Sequence, residues 1–177
     1  MKLRQSTGFT LIELLLVVAI IGIIAAIAIP GMMRARISGN EASAIGSMRA
    51  VVSAQSTYAS SCANGGYAQT LEDLAKPGTS TSGFVSPDIK SNGIFKSGYY
   101  VNVGQGTGAA TVTVAANTCN TSAADAVDKY FAESHPAAVG STGQRSFGTN
   151  QRGAIFQDST GTTFTAALVE AATTPVQ

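Results

Sequence analysis

Charge is scarce in this chain: Lys, Arg, Asp and Glu make up 12% of its 177 residues and balance to a net charge of +1. A chain so weakly charged carries no basic stripe for a nucleic-acid backbone and no field that would draw it to an acidic surface, so nucleic acid is not indicated as a partner. Histidine is scarcer still. His135 stands alone, beside Pro136 and without a nucleophile signature nearby, so any Ser/His/Asp arrangement would rest on that one ring, which reads as a surface or strand-end residue. Cysteine occurs twice, at Cys62 and Cys119, without the close spacing of a metal-ligand pair. The glycines of Gly104-Gln105-Gly106-Thr107-Gly108 alternate, unlike a dinucleotide fingerprint, and open no helix. Asp158-Ser159-Thr160-Gly161 offers calcium a single carboxylate and reads as a turn, and Asn120-Thr121-Ser122 has the N-glycosylation pattern, which is common by chance. No catalytic residue, metal ligand or cofactor is assigned, and the chain reads as a non-enzyme.

What the chain has in quantity is one apolar run. From Leu14 to Ile29 there is no charged residue. Phe9 to Ile29 is 21 residues, and at about 1.5 Å per helical residue this reaches roughly 31 Å, close to the thickness of a bilayer's hydrocarbon core. Lys2 and Arg4 flank it on the N-terminal side, a pattern that keeps the N-terminus in the cytoplasm and sends the rest of the chain outward. Glu13 is the anomaly. A carboxylate inside a spanning helix costs on the order of 3 kcal/mol even on lenient insertion scales, so it should have a partner. A cut after Gly8 would create one: the new amine on Phe9 lies four residues before Glu13, at the same level of the helix, and a carboxylate there also complements the helix dipole. A secretory signal peptide, with Ala26-Ile27-Ala28 as its cut site, would need a shorter apolar core. A plain membrane anchor explains the hydropathy but leaves Glu13 and the Gly8-Phe9 junction without purpose.

Gly8-Phe9-Thr10-Leu11-Ile12-Glu13-Leu14, followed by Val17-Val18-Ala19-Ile20-Ile21-Gly22 and by Pro30, resembles the N-terminus of the type IV pilin family, including the pseudopilins of type II secretion. The resemblance is dense from about Gly8 to Met33 and beyond about Tyr58 is one of general layout. It implies that a prepilin peptidase cuts after Gly8 and methylates the new N-terminal Phe9, and that Glu13 pairs with the N-terminus of an adjacent subunit during assembly. Pro30 matches the proline that ends the apolar half of the family's long helix, and Gly22 and Pro30 are the expected points of kinking or melting. The implied partners are further copies of the chain in a helical filament, the prepilin peptidase, the inner membrane before assembly, and a pilus or secretion assembly platform. The implied location is the inner membrane, then an extracellular pilus or a periplasmic pseudopilus.

After Pro30 the helix is predicted to continue with one apolar face. Met33, Ile37, Ala44, Met48, Val51, Val52, Tyr58 and Ala59 fall within about 120° of one another at about 100° per residue, while Arg36, Gly39, Ser43, Arg49 and Ser53 lie elsewhere. Gly39, Gly46 and the serines weaken helix propensity, so packing on a sheet must hold it. From Cys62 the text turns to glycine, serine and threonine, as in Asn64-Gly65-Gly66, Lys76 to Gly83 and Ser91-Asn92-Gly93, with one helical turn at Leu71-Glu72-Asp73-Leu74. Tyr99 to Val103 and Ala110 to Val114 alternate around the glycine loop and read as a hairpin. Asp128 to Ser134 reads as a strand closed by proline, although Ala124 to Val127 favours helix. Ser146 to Asn150 and Gly153 to Gln157 flank Gln151-Arg152 as a second hairpin.

The expected fold is α+β: a long N-terminal helix, apolar then amphipathic, on an antiparallel sheet of four or five strands. Its parts are a leader at 1–8, a spanning or filament-core helix at 9–30, the amphipathic half at 31–61, a connecting loop region at 62–97, and the sheet with the C-terminal tail at 98–177; the globular domain is 31–177. In an exported domain of this kind Cys62 and Cys119 are expected to form a disulfide, with two buried free thiols as the alternative. Such a bond would tie the helix end to the loop after the first hairpin, unlike the many pilins whose disulfide encloses the C-terminal strands. The functional expectation is a structural subunit of a type IV pilus, with a type II secretion pseudopilin as the alternative and a membrane-anchored exported enzyme or binding domain as the remote one.

Overall fold

The computed structural model describes residues 8–78, 81–173 and 175–176. Lys2, Arg4 and the other leader positions through 7 lie outside the described residues, as do Thr79 and Ser80 of the serine-rich loop and Thr174 and Gln177 of the tail. The longest element is helix α1 (Leu11–Ser61). The chain divides into two compact units, Met1–Arg36 and Ile37–Gln177, and α1 contributes to both.

In the second unit, α1 lies on a five-stranded antiparallel sheet. Its strands are β1 (Ile94–Lys96), β2 (Tyr99–Gln105), β5 (Tyr130–Pro136), β6 (Ser146–Asn150) and β7 (Ile155–Asp158), in the spatial order β1-β2-β5-β6-β7. A second sheet pairs β3 (Thr111–Thr113) with β4 (Ala126–Val127). Alternate side chains of the large sheet, Tyr99, Val101 and Val103 of β2, Tyr130 and Ala132 of β5 and Phe147 of β6, join Ala44, Met48, Val51, Ala54 and Tyr58 of α1 in one core. The period of two along the strands and the helical stripe are thus buried against each other. Helix α2 (Leu71–Ala75) forms where the leucine pair predicts a turn; Thr70 caps it by accepting from the Asp73 amide at 3.1 Å, and Leu71 and Leu74 reach the core. On the opposite face of the sheet, α3 (Ala166–Ala171) and Phe164 cover Phe131 and Phe156. They come so close to β6 that a Cβ at Gly148 would stand 2.8 Å from Val169, so only glycine fits there.

The structure corrects two sequence expectations. The hairpin of Tyr99–Val103 with Ala110–Val114 does not form: β2 pairs with β5 in a register of seven residues, from Tyr99↔Pro136 to Gln105↔Tyr130, and β3 turns away to β4. The reason is burial. β5 carries Tyr130 and Ala132 into the core beside β2, whereas Val112 and Val114 are left 42% and 48% exposed. The other edge of β2 takes β1, inside the region expected as connecting loop. The turn between them, Ser97-Gly98, has φ of 48° and 79°, the left-handed pair that a two-residue hairpin turn of type I′ needs. The helix stripe is also less apolar than expected. Met33 is 52% exposed and Ile37 and Val52 are half-buried, while Glu41, Ser47 and Gln55 lie among the buried residues of α1. The second hairpin, β6 with β7, is antiparallel, and Gly153 turns it at a φ of 75°.

The buried polar residues are spent on chain connections. Gln55 exchanges two bonds with the backbone of Ala68, at 2.7 and 2.9 Å, so the helix holds the loop that follows it in the manner of a strand. Glu41 accepts from the amides of Gln144 and Arg145 at 3.0 and 3.2 Å and from the Arg145 guanidinium at 2.9 and 2.6 Å, and Asn40 donates to the Thr142 carbonyl at 2.8 Å. Burial raises the Glu41 pKa, but the Arg145 guanidinium and the two amides outweigh it, so the carboxyl lies below its ordinary value of 4.5. A carboxyl with a depressed folded pKa stabilises above its unfolded value and loses that contribution as pH falls through the folded one. Glu41→Gln should therefore lower stability at neutral pH by roughly 1 to 3 kcal/mol, discounted for the half-exposed guanidinium. Urea unfolding should show the gap to wild type closing below pH 4.5.

Cys62, just past the end of α1, is bonded to Cys119, with the Cα atoms 4.6 Å apart and a sequence separation of 57. The Cys119 amide also donates to the Cys62 carbonyl at 3.0 Å. Closing a loop of this length stabilises by roughly 4 kcal/mol in the chain-entropy model. Cys62→Ser should lower the melting temperature under oxidising conditions and match reduced wild type; equal melting of both proteins with and without reductant would contradict this.

Candidate functional site

The apolar segment is an exposed surface among the described residues. Every large apolar side chain from Phe9 to Ile29 is exposed, from 45% at Val17 to 78% at Leu11 and Ile12. The described helix is long and apolar enough to cross a membrane by length and composition. Burying a single Leu or Ile contributes about 1.5 to 3 kcal/mol, so a run of this size demands a lipid or protein environment. Its residues surround the helix on all sides, which is the pattern of an element buried all round and not of one laid on a sheet.

The N-terminal end of this helix is built by Thr10 and Glu13. Thr10 stands just before the first helical residue, its hydroxyl accepting from the Glu13 amide at 3.3 Å, while the Glu13 carboxylate accepts from the Thr10 amide and hydroxyl at 3.3 and 3.0 Å. This reciprocal pair is a capping box, which satisfies two backbone donors that a helix end leaves open. The expected lone carboxylate thus already has a local partner in the same chain. The signal was in the sequence as Thr-x-x-Glu at the head of an apolar run; Thr10 is the capping residue that a reading centred on the charge of Glu13 passes over. Gly8 and Phe9 precede the helix in non-helical backbone, both exposed, with Phe9 at 76% and open space around the Gly8 Cα. The peptide bond between them is therefore accessible.

Gly22 and Pro30 both lie within α1, which runs through them without interruption. Pro30 has no amide hydrogen, so the Ala26 carbonyl one turn earlier lacks its helical donor. A Cβ at Gly22 would meet nothing within 4 Å, so no packing inside the chain demands glycine there.

Other candidate positions are occupied by structure. The Asn120 side chain is buried, its amide donating to the Asp73 and Lys76 carbonyls at 2.7 and 3.2 Å, and is no open attachment point for a glycan. The Asp158 carboxylate accepts from the Thr160 amide and from the Thr160 and Thr162 hydroxyls at 2.9, 2.7 and 2.6 Å, which hold its pKa below the ordinary value, led by Thr162. His135 lies in β5 with Nδ1 2.9 Å from Glu133. Among the described residues no group of three His, Cys, Asp or Glu side chains gathers as metal ligands do.

Comparison with known proteins finds likenesses to the capped, apolar N-terminal segment. The family described as the prokaryotic N-terminal methylation motif matches residues 3–29. The type IV major pilin protein PilA of Myxococcus xanthus is 45% identical over 54 residues, 30% of this chain and 24% of that protein. The type IV wide pilus major component PilA4 of Thermus thermophilus is 54% identical over 39 residues, 22% of this chain and 30% of that protein. The chain thus spans 24% and 30% of the length of these curated relatives. No solved structure matches it significantly. The N-terminal segment of this chain is thus similar to the prokaryotic methylation motif and to these two proteins, which are named as major components of type IV pili.

Replacing Thr10 with Ala should remove the cap at a cost of about 1 kcal/mol of helix-end stability. Amide exchange in detergent micelles should then speed up at positions 11–13 and stay unchanged beyond the second turn.

Proposed function

We propose that this chain is the structural subunit of a type IV pilus, held in the inner membrane by its N-terminal helix and polymerised through it into a surface filament. The observation that carries the reading is the Gly8-Phe9 junction, in accessible backbone, directly before a capped helix whose large apolar side chains are exposed among the described residues. Prepilin peptidase removes residues 1–8 and methylates Phe9. The Phe9 amine then becomes a charged group one turn from Glu13, and the carboxylate can exchange its Thr10 bonds for the N-terminus of a neighbouring subunit. In the filament the apolar helices 9–30 form a core, with Gly22 and Pro30 as the places where the helix bends or melts, and the sheet domains form the outer wall. An assembly platform in the inner membrane supplies the subunits. Both curated relatives bear the name of a major pilus component, which favours a pilus over the pseudopilus of a type II secretion system. The presence of a carboxylate at Glu13 favours a shaft subunit over a tip subunit.

Two substitutions separate processing from assembly. Gly8→Phe should leave the protein at full length in the inner membrane, with no Phe9 amine detected by mass spectrometry. Glu13→Val should be cut and inserted, with membrane insertion easier by on the order of 3 kcal/mol, yet yield few sheared filaments when no wild-type subunit is present. A Glu13→Val protein that is processed and assembles at wild-type yield would remove the role given to the carboxylate.

A further inference from the structure

Among the described residues only two sulfur atoms are open to chemistry. Cys62 and Cys119 are bonded to each other, and no cysteine is free. Met48 is 0% exposed, in the core of the second unit. Met32 and Met33 differ from these: they are 64% and 52% exposed, although the helical stripe put Met33 on the face that packs.

Their place in the chain gives this exposure a meaning. The pair follows Pro30-Gly31 and directly precedes Arg34, so it closes the uncharged run. At about 1.5 Å per helical residue, the stretch that ends at Ile29 already equals the thickness of a bilayer's hydrocarbon core. Under the pilus reading the two thioethers therefore lie at the level of the lipid headgroups, where water and small polar oxidants reach them. Their neighbours leave them open as well. A Cβ at Gly31 would meet nothing within 4 Å, and Ala35 on the other side is small. Consecutive helical positions diverge by about 100°, so the pair covers a wide arc of the helix surface. With both cysteines already in a disulfide, these exposed thioethers are the groups that a mild two-electron oxidant meets first.

We propose that Met32 and Met33 form a reversible oxidation site, at which a peroxide converts the thioethers to sulfoxides and so holds the subunit out of the filament. The sulfur lone pair attacks one oxygen of hydrogen peroxide and the O–O bond breaks. The oxygen bound to sulfur gives up its proton, and the other oxygen leaves as water. Sulfur is oxidised by two electrons and the peroxide is reduced by two. The flexible apolar side chain thereby becomes polar, at the edge of a segment that polymerisation would bury, and an oxygen without a donor opposes burial. Methionine sulfoxide reductase restores the thioether: a dithiol becomes a disulfide and the oxygen leaves as water. The effect on assembly rests on the pilus reading, whereas the reactivity of the two sulfurs rests on their exposure alone.

The first test is peptide mass spectrometry of the full chain in phosphatidylcholine vesicles during treatment with hydrogen peroxide. Met32 and Met33 should each gain one oxygen roughly tenfold faster than Met48 of the same molecules, and urea should bring Met48 to a similar rate. Equal rates in the folded chain overturn the site, as does a pair that stays unreacted while unfolded Met48 reacts. The second test compares wild type with the double variant Met32→Leu and Met33→Leu, a change that conserves volume. A peroxide pulse given to cells before filament growth should lower the wild-type yield of sheared filaments roughly fivefold and leave that of the variant unaltered. Equal loss in both overturns the effect on assembly. Should the variant assemble poorly without peroxide, wild type decides alone: subunits in filaments should carry fewer sulfoxides at these positions than subunits left in the membrane, and equal occupancy overturns the effect. Absence of filaments from untreated wild-type cells, with rapid oxidation of the pair in vesicles, supports the site and removes the pilus reading together with the effect on assembly.

Discussion

The packing of Met48, Val51 and Tyr58 of α1 against Tyr99, Tyr130 and Phe147 of the sheet is the contact on which the second unit depends. An antiparallel sheet of five short strands cannot hold one bare apolar face in water, and a glycine- and serine-bearing helix has little tendency to persist unaided. Each completes the other. The same helix carries, toward its N-terminus, apolar side chains that stand exposed among the described residues. One continuous element thus contains a stretch that is satisfied by its own chain and a stretch that must be satisfied from outside.

Much of this was legible because it is local. The all-round apolar run, its length, the basic flank and the Gly8-Phe9 junction lie within some thirty consecutive residues, and the capped turn at Thr70 and the β6–β7 hairpin are also short-range patterns. What escaped is non-local or small. The partner of β2 is chosen by which distant segment brings apolar residues to the same face, and Tyr130 and Ala132 win over the nearer Thr111–Thr113. β1 has three residues and α3 six, too few to show a period. Glu41 has its guanidinium partner 104 residues away, so nothing near it in sequence tells that it is buried. At the functional helix, Thr10 was overlooked for a different reason: membrane electrostatics and helix capping both speak through Glu13, and the first was read without the second.

The polar interior follows a common plan. Gln55, Asp73, Asn120 and Glu41 each bridge two segments that no strand or helix ladder joins. A chain with long glycine- and serine-rich connections has many backbone groups without regular partners, and buried side chains that bond to backbone satisfy them. These connections are tied to the helix and to one another by side-chain bonds, and the low charge of the chain is matched by polarity inside.

The cross-link between Cys62 and Cys119 also has a mechanical meaning. A pull that enters the second unit along α1 and leaves through the later strands passes from Cys62 to Cys119 covalently. The segment between them, across a sequence separation of 57, includes α2, β1, β2 and β3 and is outside the load path. Unravelled, it would have paid out roughly 200 Å of slack; closed by the bond it yields only the width of the link. Under traction the chain behaves as a shorter and stiffer tether than its residue count implies.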